Sequence, residues 1–135
     1  MRSNRSIPNC SVIPELPYAS VVEAAAWLER AFGFTPRVLV GEHRVQMNVG
    51  AGAIVVVEGE ASGCRVLVRV EDADAHAERA RAAGARIVNE PADHPYGERQ
   101  YTARDLGGHA WTFSQSIADV APEEWGGVTA GAPSR

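Results

Sequence analysis

Four histidines (His43, His76, His94 and His109) and two cysteines (Cys10 and Cys64) are the side chains of this 135-residue chain best suited to acid–base, nucleophilic or metal chemistry. They fall into no catalytic spacing. A nucleophile, a base and an orienting acid must meet in space, and scattered histidines with a lone serine or cysteine do not make a triad. His43 follows Gly41-Glu42 in what reads as a hairpin turn, and His76 reads as a surface or partly packed mid-helix residue. His109 directly follows the turn Asp105-Leu106-Gly107-Gly108. His94 stands out because it shares a long loop with Tyr96 and Arg99, and such loops often carry function. Cys64, at a strand start, reads as a small buried side chain. No catalytic residue is assigned.

The elements that position these residues are legible from local signals. Ser11 to Tyr18 is extended and proline-bearing, as an edge strand or strand end is. Ser20 then precedes Val21, Val22, Ala25, Leu28 and Phe32, spaced like one helix face, with Gly33 placed to end the helix. Strands are expected at Pro36 to Val40, Arg44 to Val49 and Ala53 to Glu58. The middle one alternates Val45, Met47 and Val49 against Arg44, Gln46 and Asn48. The second half repeats this plan. Arg65 to Val70 alternates, Glu71 or Asp72 caps a helix to Ala83, and Gly84 closes it. A short strand at Arg86 to Asn89 leads to a loop from Glu90 to Gly97. Strands at Arg99 to Arg104 and His109 to Ser114 flank the turn Asp105-Leu106-Gly107-Gly108. The helix ends align in register, Trp27 to Gly33 with Glu78 to Gly84, which points to an internal duplication.

Composition narrows the class. With 45% hydrophobic and 22% charged residues, the chain has the make-up of an ordinary globular domain. Its net charge of -4 argues against nucleic acid, which usually leaves a basic footprint. The apolar run Ala53 to Val57 is far below the ~20 residues of a membrane span, so no membrane partner is expected. Two cysteines make no disulfide framework, and a reduced, cytoplasmic chain is expected. Three segments follow: a flexible N-terminus at 1–10, a domain at 11–116 with modules of about 11–60 and 64–116, and a C-terminal extension at 117–135. In the extension, Ser116 to Trp125 is expected to pack on the body with Trp125 as anchor, and Gly126 to Arg135 to form a mobile tail.

The run from Tyr96 to Phe113 (YGERQYTARDLGGHAWTF) resembles the closing hairpin of the vicinal-oxygen-chelate proteins, the glyoxalase/bleomycin resistance protein/dioxygenase superfamily. Its Arg104-Asp105-x-x-Gly108-His109 turn followed by an aromatic strand carries the likeness, and Trp27-Leu28 with Ala31-Phe32-Gly33-Phe34 resembles that family's opening helix. The resemblance covers roughly residues 11 to 116. It implies an α+β fold of two βαβββ modules forming a cupped mixed sheet, with helices on the convex side and ligands on the concave side.

The resemblance also places metal ligands, one on each of four strands, near Ile13, near Val55 or Val56, at Arg65 and at Thr112. None is a usual metal ligand, and Arg65 repels a cation. Shifting the alignment by one or two residues brings in Glu15, Glu58 or Cys64, but nothing in the last strand replaces Thr112. No metal and no cofactor are therefore expected. The concave face instead offers Gln46, Asn48, Arg65, Arg69, Tyr96, Gln100, Thr102 and Thr112 as ligand-binding residues. The two arginines suit an anionic or hydrogen-bonding ligand, and Tyr96 or Tyr101 a planar one. The implied function is a metal-independent small-molecule binding protein, such as one that sequesters an antibiotic or metabolite, working as a homodimer with a pocket built from both chains. The alternatives are a glyoxalase- or dioxygenase-like lyase, isomerase or oxygenase with a divalent metal or an atypical site, and an interaction domain with no small ligand.

Overall fold

A computed structural model describes residues 3–60 and 63–129. Met1 and Arg2 of the expected flexible start and residues 130–135 of the expected tail lie outside the described residues.

The first half runs β1 (Glu15–Tyr18), α1 (Val21–Phe32), β2 (Thr35–Val40), β3 (Arg44–Val49) and β4 (Gly52–Glu58). The second runs β5 (Arg65–Arg69), α2 (Ala73–Ala82), β6 (Arg86–His94), β7 (Glu98–Arg104) and β8 (Ala110–Ser116). The eight strands divide into two four-stranded sheets of the same order, β1-β4-β3-β2 and β5-β8-β7-β6. In each, the first strand pairs parallel with the last, and the remaining pairs are antiparallel. Two βαβββ modules are present.

Local chemistry sets the helix ends. The Ser20 side chain accepts from the Glu23 N–H, and Gly33 closes α1 at φ 78°, a left-handed conformation that glycine adopts without a Cβ penalty. Asp72 caps α2 by accepting from the Ala75 N–H. Arg79 of α2 reaches across to the last-turn carbonyls of Glu29 and Arg30, so one helix helps cap the other.

The core is one cluster spanning both halves. Leu16, Leu28, Phe32, Met47 and Val56 pack with Ala77, Tyr101, Trp111 and Phe113. Phe32 sits at its centre, with ring centroids 5.7 Å from Trp111, 4.9 Å from Phe113 and 5.2 Å from Trp27. Polar contacts join the halves as well. The Trp27 indole donates to the Ala83 carbonyl at 2.9 Å. His109 meets the Pro17 carbonyl through Nε2 at 2.8 Å, so that nitrogen carries the proton. Its Nδ1 is left buried without a partner.

Three strand limits differ from the sequence reading by two residues or more. β1 begins at Glu15, where an extended stretch was expected from Ser11. β6 runs on to His94, where a loop was expected from Glu90. Register shifts before Asn89 and before Ala92 let Glu90 and Pro91 drop out of the ladder. A proline, lacking an N–H, is tolerated at such an interruption. β8 extends to Ser116 because Glu98 continues the pairing opposite it. Beyond β8, Ile117 and Ala118 donate to the Gly97 carbonyl. The 3-10 turn Pro122–Trp125 then sets Trp125 edge-on to Tyr96 at 5.4 Å.

Candidate functional site

Alternation assigns each sheet a face under the helices and an open face. On β5, β7 and β8 the residues Val66, Val68, Tyr101, Ala103, Trp111 and Phe113 pack into the core. Their alternates, Arg65, Leu67, Arg69, Gln100, Thr102, Ala110, Thr112 and Ser114, therefore occupy the open face. Strand pairing arranges these in rows: Arg69–Ser114–Gln100 and Leu67–Thr112–Thr102.

The rows are tied by hydrogen bonds with a direction. The Tyr96 hydroxyl donates to Gln100 Oε1 at 2.9 Å, and Gln100 Nε2 donates to Ser114 Oγ at 2.9 Å. Ser114 in turn donates to Glu98 at 2.6 Å. The hydroxyls of Ser114 and Ser116 hold the Glu98 carboxyl below its usual range, so the chain of donors ends on an anion. Thr102 and Thr112 bond each other at 2.9 Å, and Arg69 reaches Ser116 at 3.1 Å. Polar groups fixed this way are pre-oriented for a ligand.

The six expected residues of the second half, Arg65, Arg69, Tyr96, Gln100, Thr102 and Thr112, thus belong to one sheet face or its hairpin. Gln46 and Asn48 lie on the other sheet, and no hydrogen bond among the described residues joins them to that group. Asn48 bonds Thr35. Gln46 is buried beneath the N-terminal segment: it donates to the Ser6 carbonyl at 2.8 Å and accepts from Arg37, which also binds the Arg5 carbonyl. Residues 6–8 of the segment expected as a flexible lead-in form one wall of a cavity of about 410 Å³ with Ile13, Glu15, Arg44, Gln46 and Val55. Glu15 and Arg44 pair at 2.6 Å on that face.

Tyr101, expected as a stacking residue, is 1% exposed. It shares parity with Ala103 and points under α2, not toward a ligand. There its hydroxyl meets His76 Nδ1. His76 Nε2 faces the Phe32 carbonyl at 3.1 Å, an acceptor, so the proton sits on Nε2 and Tyr101 donates to Nδ1. Burial lowers the His76 pKa from 6.5 and raises that of Tyr101; at His76 the bond to the Phe32 carbonyl opposes the shift in part and the Arg79 charge adds to it. Unfolded chains therefore bind the proton more readily, and stability falls as pH drops below about 6.5. Thermal denaturation between pH 7.5 and 5 is expected to show a decline in Tm that is smaller in His76→Gln. An equal decline in both would remove His76 as the cause.

Sequence reasoning missed Glu98, although its parity with Gln100 and Thr102 marked it for the same face. It also read Asp105 only as a turn residue. Asp105 is 7% exposed, and its carboxylate accepts four donors: Tyr18 Oη at 2.5 Å, Trp111 Nε1 at 2.9 Å and the Gly107 and His109 N–H groups. Burial and that carboxylate push the Tyr18 pKa far up. Arg104 turns away and donates to the Gly108 carbonyl.

Comparison with known proteins extends this geometry. Residues 65–113 match the model of the Glyoxalase/Bleomycin resistance protein/Dioxygenase superfamily. TioX from Micromonospora sp. ML1 is 33% identical, with 81% of this chain and 100% of TioX covered at a TM-score of 0.71. The chain belongs to the glyoxalase/bleomycin resistance protein/dioxygenase superfamily. A superfamily enzyme from Burkholderia phytofirmans PsJN (17% identity, 78% and 97% covered, TM-score 0.69) shares the fold. So does a lactoylglutathione lyase from Agrobacterium tumefaciens (14% identity, 82% and 96% covered, TM-score 0.67). No curated protein matches by sequence.

A superfamily metal site can be tested against the residues that occupy its positions. Val55 pairs with Glu15 and Thr112 with Leu67, so Ile13 and Arg65 each stand two residues before the partner, the same offset in both halves. Ile13 and Val55 offer hydrocarbon, Arg65 a positive charge, and Thr112 a hydroxyl already engaged by Thr102. A divalent ion needs imidazole, carboxylate or thiolate donors. This set does not fit one.

Proposed function

We propose that this superfamily member is a metal-independent small-molecule binding protein, cytoplasmic, acting as a homodimer whose pocket draws on the open faces of both chains. The observation that carries the reading is the directed hydrogen-bond array from Tyr96 through Gln100 and Ser114 to Glu98, in a sheet whose metal positions hold Arg65 and Thr112. Pairing of chains would bring Gln46 and Asn48 of one copy toward the second-half residues of the other. Cys10 and Cys64 are unpaired, as suits a reducing compartment. No helix among the described residues is long and apolar enough to cross a membrane.

The test is a native mass-spectrometry screen of small molecules against the metal-analysed protein, with sedimentation to establish the dimer. A hit is expected to weaken about ten-fold in Gln100→Ala, the loss of one net hydrogen bond of ~1.5 kcal/mol. Stoichiometric metal, with Ni, Zn, Mn or Fe raising Tm and the effect lost in Glu15→Ala, would replace this reading with the enzymatic one.

A further inference from the structure

One row of the second sheet's open face carries three arginines. Arg65 of β5 pairs with Ala110 of β8, Ala110 with Arg104 of β7, and Arg104 with Arg86 of β6. Parity places all three side chains on the face away from the helices: Arg65 alternates with Val66, Arg104 with Ala103, and Arg86 precedes Ile87, each of which packs on the core. The fourth member, Ala110, is 8% exposed and presents only a methyl group between the flanking arginines.

No carboxylate among the described residues lies within 4.0 Å of any of these guanidiniums. The ion pairs among the described residues involve Arg44, Arg81 and Arg99 instead. Arg104 donates to the Gly108 carbonyl at 3.0 Å, a contact that orients it without neutralising it. Glu98 begins the same strand, but six residues of β-strand separate it by roughly 20 Å, beyond the ~8 Å screening length of physiological salt. Neighbouring strands are ~4.8 Å apart, so Arg86 and Arg104 stand directly opposite each other. Like charges in that relation destabilise a sheet. The chain keeps this repulsion at one end of the face read above as its ligand face.

We infer that Arg65, Arg86 and Arg104 form an anion-binding row that takes a doubly charged oxyanion group, a phosphate ester or a dicarboxylate, on a ligand whose body lies along Thr112, Thr102 and Gln100. The guanidinium fork matches either group by paired N–H donors. A dianion relieves the mutual repulsion and makes the row stabilising once loaded. This inference rests on the small-molecule reading for the ligand's body and not for the anion itself.

The test uses inorganic pyrophosphate and malonate as probes, each titrated into the full chain at constant ionic strength and followed by NMR at arginine side chains and backbone amides. Saturable shifts are expected at Arg65, Arg86, Arg104 and Ala110. They should weaken at least ten-fold in Arg65→Gln and Arg86→Gln, both exposed positions, and stay unchanged in Arg30→Gln, an exposed arginine of α1. The stronger of the two probes identifies the phosphate or the carboxylate source. Without anion, Arg86→Gln is expected to raise Tm at low salt, and the gain should shrink as salt is added. Shifts spread over the whole surface, or shifts that survive both arginine substitutions, would overturn the inference. A screened ligand that depends on Gln100 but carries no anionic group, with pyrophosphate and malonate silent, would sink the row and leave the binding function standing.

Discussion

Asp105→Ala will lose about 3–5 kcal/mol of folding stability, the scale of breaking one partner out of a buried, charge-assisted network. A domain of this kind is stable by only about 5–15 kcal/mol, so the variant should unfold at far lower urea. The reason lies in what the substitution strands. Tyr18 Oη and Trp111 Nε1 both donate to Asp105 Oδ2, and Tyr18 and Trp111 are 1% and 0% exposed. No water reaches them to replace the carboxylate, so each pays its desolvation cost without a bond. The Gly107 and His109 N–H groups lose the acceptor that folds the β7–β8 turn. Tyr18→Phe, which removes one donor and leaves the carboxylate three others, should cost only about 1–2 kcal/mol. Urea titrations of both variants decide the matter. A loss below ~1 kcal/mol for Asp105→Ala would mean that the carboxylate is not the tie between the halves.

Phe32→Ala comes next, with an expected cost of about 3–5 kcal/mol, as for other buried aromatic truncations. Phe32 ends α1 in the first half, yet its ring lies among Trp111, Phe113 and His76 of the second. Removing it opens a cavity lined by rigid rings from β8, both helices and the α1–β2 connection, which cannot collapse without moving one half against the other. The cost should therefore sit at the upper end of that range. Phe32→Leu, which keeps most of the volume, should recover a large part of it. If the alanine variant lost no more than Val22→Ala, a substitution at a half-exposed α1 position, the halves would not depend on this ring.

Much of the fold was legible because its signals are local. Ser20 and Gly33 bound α1 within one turn of where the chain shows them, and alternation in Arg44 to Val49 and Arg65 to Arg69 separates core from open face. The repeat of helix, glycine and strands revealed two modules. What escaped depends on register. Arg86, Arg104 and Arg65 are far apart in sequence, and only the pairing of β6, β7, β8 and β5 sets them in one row. The interruption of β6 around Pro91 hid its last residues, because a proline in a polar stretch reads as loop. The Tyr18–Asp105 bond spans 87 residues, and nothing in either neighbourhood announces the other. Parity set Gln46 opposite the core residues Val45 and Met47, but its burial under Ser6 rests on a contact no periodicity encodes.

The buried tie of Asp105 to Tyr18 and Trp111 also bears on how such a protein can change. It lies in a turn and on the core side, whereas Leu67, Gln100, Thr102 and Thr112 lie on the opposite side of the same strands. On the proposed reading of the open face, stability and recognition fall to different residues. Exchanges across the open face can retune what is bound with little loss of folding free energy. A lineage built on this plan can diversify its ligands by point substitution while its scaffold stays under constant selection.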